Sequence, residues 1–347
     1  MISFMSFWSI AHAFKQKPSS FLGYSYGRQI SATLVQAASP LVDYSIEEVG
    51  ISPKLHKVVR NHALTSSKWT QCHTTSSHTI EAMDIAIKFV EDFHSVKNPN
   101  ATAPLRVIFD SGCGTGRSSE FIAKQNPHLP VLGLDKSFSR LQRNAFYGAN
   151  NHERNFDITM NDDGFSSAPY ENMLLLRCDV VDFWFLAQRL VGEGRWLVAK
   201  HYILYANPYP RPRQLNLRWH GHPVFPFLLM CHAKEIVLRS SWRTYLEEFA
   251  TAIEVLSSIE VDSEESISMP SALPSVPTSE DMCCQGFDGG SHLVSRIQNA
   301  AAAYEVHGPS ERDIEYTKPT EAWTLFERKY WMASIPIYEL VLKYKDN

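Results

Sequence analysis

Asp110, Gly112, Gly114 and Gly116 are residue types that bind a nucleotide when they follow a strand. The apolar residues before them, Val107, Ile108 and Phe109, read as a buried strand. Phe121, Ile122, Ala123 and Lys124 read as the first turns of a helix. Strand, tight glycine loop and helix make a nucleotide-binding half-unit. Glycine permits positive φ and, having no side chain, lets a ligand lie against the backbone. Two more carboxylates end apolar runs. Val131 to Asp135 closes on an acid 19 residues beyond Gly116, where a carboxylate would accept ribose hydroxyls. Met173 to Cys178 is followed by Asp179, placed to meet an adenine edge. A dinucleotide fingerprint G-x-G-x-x-G is not met, because the third glycine comes one residue early and Arg117 stands in its place.

A second stretch offers different chemistry. Asn207, Pro208, Tyr209 and Pro210 place a polar residue before a proline–aromatic–proline turn at the end of a long apolar run from Arg195 to Tyr205. Prolines fix φ and stiffen the loop, and the aromatic ring offers a face on which a base can stack. Between Arg195 and Lys234 there is no acid, while Arg195, Lys200, Arg211, Arg213, Arg218 and Lys234 supply positive charge beside four histidines. In a chain of net charge −4, that local excess is the candidate phosphate-binding surface.

The elements that must position these residues follow from pattern. Helices are expected between Ser45 and Asp92, from Lys136 to Asn144, up to Gly192, and from Trp242 to Leu256. Glu235 to Ser241 reads as a strand, and Ala322 to Leu342 as two strands joined by a turn. Residues 148–171 and 257–295 read as surface insertions, the second rich in Ser, Pro and acids without Lys or Arg. Residues 1–42 hold no Asp or Glu and eight Ser, the composition of a targeting segment. The arrangement is similar to the signal-plus-transit segments of plastid proteins, with a mitochondrial presequence or a cytoplasmic tail as alternatives. One domain is expected over 43–347, with no membrane span in the mature chain, because no apolar run reaches 18 residues. The six cysteines have no C-x-x-C spacing and read as reduced thiols, with no zinc site or other metal site.

An acid two residues before G-x-G-x-G resembles the first motif of S-adenosylmethionine-dependent methyltransferases. Over roughly residues 54–343 the chain resembles, more narrowly, the bacterial-type tRNA (guanine-N7)-methyltransferases. Asp110 to Gly116, Gly133 to Asp135, Asn207 to Arg211, and Thr324 to Glu327 followed by Ile337 to Leu340 carry that resemblance. It implies an α/β, Rossmann-like fold, with a seven-stranded, mostly parallel sheet and helices on both faces. S-adenosyl-L-methionine would be held by Asp110, Gly112, Gly114, Gly116, Asp135 and Asp179. Asn207 and Glu327 would be the catalytic pair, Thr324 and Glu327 would hold the guanine, and Arg211, Arg213 and Arg218 would contact the backbone of tRNA. The protein would act as a monomer or homodimer. One departure stands out: the family loop has an aspartate where this chain has Asn207. Guanine N7 carries a lone pair and no proton, so its methylation needs no general base. The alternatives are a small-molecule or protein methyltransferase of the same fold, and a non-catalytic RNA-binding protein that retains the cofactor fold.

Overall fold

A computed structural model describes residues 50–97, 102–144, 147, 171–259, 290–313 and 319–345. The targeting segment and most of both expected insertions lie outside the described residues. Helices α1 (Leu55–Leu64), α2 (Ser66–Cys72) and α3 (Ser77–Lys97) precede the sheet. Five strands then alternate with helices: β1 (Leu105–Ser111), α4 (Arg117–Gln125), β2 (Val131–Asp135), α5 (Phe138–Leu141), β3 (Met173–Arg177), α6 (Val180–Gly192), β4 (Trp196–Leu204), α7 (Phe225–Leu229) and β5 (Glu235–Ser240). The chain continues through α8 (Arg243–Ser257), α9 (Gly290–Ala302), β6 (Tyr304–Glu311), α10 (Leu325–Met332) and β7 (Tyr338–Tyr344).

The strands form a seven-stranded sheet in the order β3-β2-β1-β4-β5-β7-β6. The first five run parallel, and β7 is antiparallel to both β5 and β6. This is the Rossmann-like, seven-stranded and mostly parallel α/β sheet that the resemblance implies. Because β1 pairs with β2 on one side and β4 on the other, the strand order reverses there. Such a switch point opens a crevice beyond the carboxyl ends of the strands.

Alternation along each strand separates two cores. Val107 and Phe109 of β1 join Leu132, Leu134, Leu174, Leu176, Ile236 and Leu238 in one cluster, packed on residues of α1, α3, α6, α7, α8 and α9. Ile108 faces the other way, with Val131, Met173, Leu175 and Val237, against Ile122 and Ala123 of α4 and Leu141 of α5. Helices therefore cover both faces. Trp184 of α6, fully buried, donates from Nε1 to Ser111 Oγ at 3.0 Å, and Ser111 lies 2.8 Å from His201 Nε2. Burial pushes His201 down to about 3, so the ring is neutral.

Three local expectations are corrected. Residues 322–342 are not two strands: α10 occupies Leu325–Met332, and β6, the partner of β7, comes from Tyr304–Glu311. The reason is a helix cap. Thr324 Oγ1 accepts the Glu327 N–H at 2.9 Å, and Glu327 Oε2 accepts the Trp323 N–H at 2.7 Å, tying the helix start to the residue before its cap. The helix expected over 136–144 is only the single turn Phe138–Leu141. The expected second insertion overlaps α9, which starts at Gly290.

Gly133 sets how closely α4 approaches the sheet. A Cβ there would lie 2.4 Å from Ser119 Oγ and 2.5 Å from Leu175 Cδ2. Gly133→Ala is therefore expected to destabilise the fold by about 1–3 kcal/mol, read as a lower urea midpoint at unchanged slope. An unchanged midpoint would mean that the interface has slack.

Candidate active site

The glycine loop sits at the switch point between β1 and α4. Gly112, Gly114 and Gly116 have φ of 77°, 63° and 76°, the left-handed region that other residues adopt only with strain. Their roles differ. A Cβ on Gly116 would strike Leu175 Cδ1 at 2.6 Å, whereas at Gly112 or Gly114 it would meet nothing within 4 Å. Gly116 thus lets the loop pack on β3, while Gly112 and Gly114 present bare backbone to open space. That is a cradle with room for a ligand against the main chain.

Two buried carboxylates fix the cradle. Asp110 Oδ2 accepts from the hydroxyls of Ser118 at 2.6 Å and Ser119 at 2.7 Å, tying the end of β1 to the first turn of α4. Burial raises its carboxyl to about 6 against the help of the two serines, and the neighbouring Asp135 adds to the rise. Asp135 Oδ2 accepts the Gly114 N–H at 2.9 Å and Oδ1 the Ser137 N–H at 2.8 Å, with Arg140 Nη2 at 3.4 Å. The expected ribose acid therefore faces the loop it braces and is 3% exposed. Asp179 caps α6 by accepting the Val181 N–H at 2.9 Å, and its own N–H donates to Thr79 Oγ1 at 3.0 Å. Cys113, inside the loop, is buried, and burial pushes its thiol well above the ordinary range, so it is inert.

The Asn207 loop leaves the end of β4. Tyr205 and Tyr209 both hold left-handed backbone, with φ of 55° and 45°. For bulky residues this is strain that the surroundings must enforce. Asn207 is exposed, and its Oδ1 accepts the Tyr209 N–H at 3.3 Å. Arg211 and Arg213 are exposed beside it, as a phosphate-binding role requires.

Arg218 is not available for that role. It is 3% exposed, and Nη2 donates to the carbonyls of Tyr209 at 3.1 Å and Pro210 at 3.3 Å, with Nε also on Tyr209 at 3.2 Å. Nη1 is paired with Glu248 of α8, and the guanidinium lies 4.9 Å over the Trp242 ring. Glu248 also takes His220 Nε2 at 3.0 Å and the Ser52 N–H at 2.9 Å. Burial would push the Glu248 carboxyl up, but the bonds from His220, Ser52 and Arg218 outweigh it and hold it below its usual value. Burial holds His220 low and neutral. Nothing local in the sequence pairs Glu248 with Arg218; only the tertiary fold does.

Glu327 is likewise closed to a base. It is fully buried, with Arg312 Nη1 at 2.9 Å and Arg239 Nη1 at 3.3 Å on one oxygen and the Trp323 N–H on the other. Thr324 is the cap described above. The pair expected to hold guanine is therefore structural, and its T-x-x-E spacing is the readable signal of a capping box. Arg117 adds a strap unforeseen from sequence, donating to the carbonyls of Ala322 at 2.9 Å and Thr320 at 2.7 Å.

No protein-family model matches the chain, and no curated protein matches it. Among solved structures, it is similar to the antibiotic-resistance methyltransferase Kmr, at 13% identity over 73% of this chain and 92% of that one, TM-score 0.33. A variant of the 16S rRNA (adenine(1408)-N(1))-methyltransferase from Catenulisporales acidiphilia, with cosubstrate SAM, is 12% identical over 74% and 91%, TM-score 0.36. The plantazolicin methyltransferase BamL, in complex with a triazolic desmethylPZN analog and SAH, is 11% identical over 84% and 98%, TM-score 0.29.

Two outcomes follow from the buried carboxylates. Glu248→Ala leaves Arg218 buried without its partner and is expected to cost about 3–5 kcal/mol in chemical unfolding, whereas Arg218→Met with Glu248→Leu stays within about 2 kcal/mol of the native protein. Equal losses would show that the site tolerates an unpaired charge. For Asp110, the folded value of about 6 lies above the ordinary 3.8, so its contribution to stability is full below pH 3.8 and is lost as pH rises through 6. Asp110→Asn removes that loss. Its unfolding free energy relative to the native protein should therefore rise between about pH 4 and about pH 7. A flat difference would contradict the assignment.

Proposed function

We propose that this protein is an S-adenosylmethionine-dependent methyltransferase acting on a ring nitrogen of an RNA base, with guanine N7 in tRNA as the leading substrate. The observation that carries the reading is a side-chain-free glycine cradle at the switch point of the sheet, with the loop Asn207–Arg211, exposed at its two ends, leaving the neighbouring strand β4. When bound, the cofactor supplies an electrophilic methyl group on a sulfonium. Gly112 and Gly114 would hold its amino-acid end against bare backbone, and the Asp135 brace keeps Gly114 in place. Asp179, which follows β3, would meet its adenine edge.

The acceptor is narrowed by what the loop lacks. Asn207 is neutral, and Glu327 is enclosed by two arginines. An acceptor that must lose a proton before attack gains nothing from either residue. Guanine N7 needs no such help: its lone pair forms the new N–C bond as the S–C bond breaks, and positive charge passes from sulfur to the purine. For such a reaction alignment is the main contribution, and well-oriented reactants gain about 7–11 kcal/mol from it. Tyr209 offers a ring for stacking, and Arg211 and Arg213 offer charge for phosphate. The composition of residues 1–42 supports delivery to a plastid, with a mitochondrion as the alternative.

Incubation of the protein with radiolabelled S-adenosylmethionine and bulk tRNA tests this reading. Label in RNA that is then cleaved by borohydride and aniline, which break the chain at N7-methylguanine, is the expected result. Label without cleavage would move the methyl group to another atom. Label in small molecules or protein, with none in RNA, would overturn the reading.

A further inference from the structure

We propose that Phe326, together with Leu325, Met332 and Arg328 on the outer face of α10, is a stacking platform for unpaired bases that flank the target. This rests on the RNA reading above and adds a surface to it. The starting point is Tyr205, whose backbone is held left-handed where β4 gives way to the Asn207 loop. Its ring lies 5.8 Å from Tyr330, inclined at 46°, and Tyr330 lies 6.3 Å from Phe326, inclined at 30°. Three rings thus run from the strand end outward. The two inner rings are shielded, Tyr205 half-buried and Tyr330 6% exposed, whereas Phe326 is 49% exposed. Aromatic rings in contact at these spacings gain from one another, and here the outermost ring is open.

The chemistry of the rest of the helix selects the occupant. Leu325 and Met332 are 52% and 58% exposed, an apolar surface out of water's favour. Arg328 and Lys329 are exposed on the same helix, and its single acid, Glu327, is fully buried. A cationic face carrying bare apolar and aromatic groups suits a single-stranded polyanion, whose bases have π-faces and whose phosphates seek arginine. A duplex hides its bases and cannot use Phe326 in this way. Helix α10 also stands firmly, since Glu327 anchors it to Arg239 and Arg312 and Arg117 holds the segment before it.

The test measures equilibrium binding of the full chain to an oligoadenylate of about 12 nucleotides, and to a duplex of equal length, by fluorescence anisotropy. Phe326→Ala is expected to weaken oligoadenylate binding roughly tenfold, to leave duplex binding unchanged, and to leave S-adenosylhomocysteine affinity and the melting temperature as in the native protein. Phe326→Trp should retain native affinity. Unchanged oligoadenylate binding in Phe326→Ala, or an equal loss on the duplex, overturns the proposal while the RNA reading stands. A native dimer in sedimentation that Phe326→Ala dissolves would assign the patch to a second copy and also overturn it. A native protein that binds neither RNA defeats both readings together.

Discussion

A carboxylate withdrawn from water must be answered by donors, and at the carboxyl edge of this sheet that requirement fixes the surrounding loops. The Arg218–Glu248 pair shows it most fully. Glu248 draws in Arg218 and His220 from one segment and the Ser52 N–H from another, far apart in the chain. Arg218 passes the constraint on, because the rest of its guanidinium reaches the Tyr209 and Pro210 carbonyls. A left-handed tyrosine and two prolines cannot hold one geometry unaided. The loop's shape is therefore set from beneath by a charge pair that solvent does not reach.

The same logic repeats around the crevice. Asp110 clamps the start of α4 through two serines, Asp135 clamps the glycine loop through the Gly114 N–H, and Glu327 clamps α10 between two arginines. Each is expensive to desolvate and strongly destabilising to leave half-paired. The parts that remain open to a ligand are mostly backbone, neutral amide and exposed rings or cations: Gly112, Gly114, Asn207, Tyr209, Arg211, Arg213 and Phe326. That division suits a reaction in which alignment matters more than proton transfer.

How much of this was legible in the sequence depended on range. The glycine loop, the strand-end acids and the helices on both faces follow from spacing within a few residues, and the sheet places them as that spacing implies. The Thr324–Glu327 segment was misread although its signal was local. Read as base-holding residues on a strand pair, the T-x-x-E spacing hid its simpler meaning, a helix cap. Arg218 was misread for the opposite reason. In a basic, acid-free stretch it looked like a phosphate ligand, and its partner lies 30 residues away on another helix. Burial of a charge by a distant partner leaves no mark in local composition. The open state of Gly112 and Gly114 against the packed state of Gly116 was equally beyond the sequence, since all three share one φ region.

Calorimetric titration with S-adenosylhomocysteine tests whether the glycine cradle holds the cofactor proposed for it. The native protein should bind at one site per chain. Gly114→Val puts a side chain into the open space above the loop and should weaken binding by about a hundredfold or more, on the order of 3 kcal/mol, in a protein that still unfolds cooperatively. Equal affinity in the two proteins, or no binding by the native chain, would contradict the account.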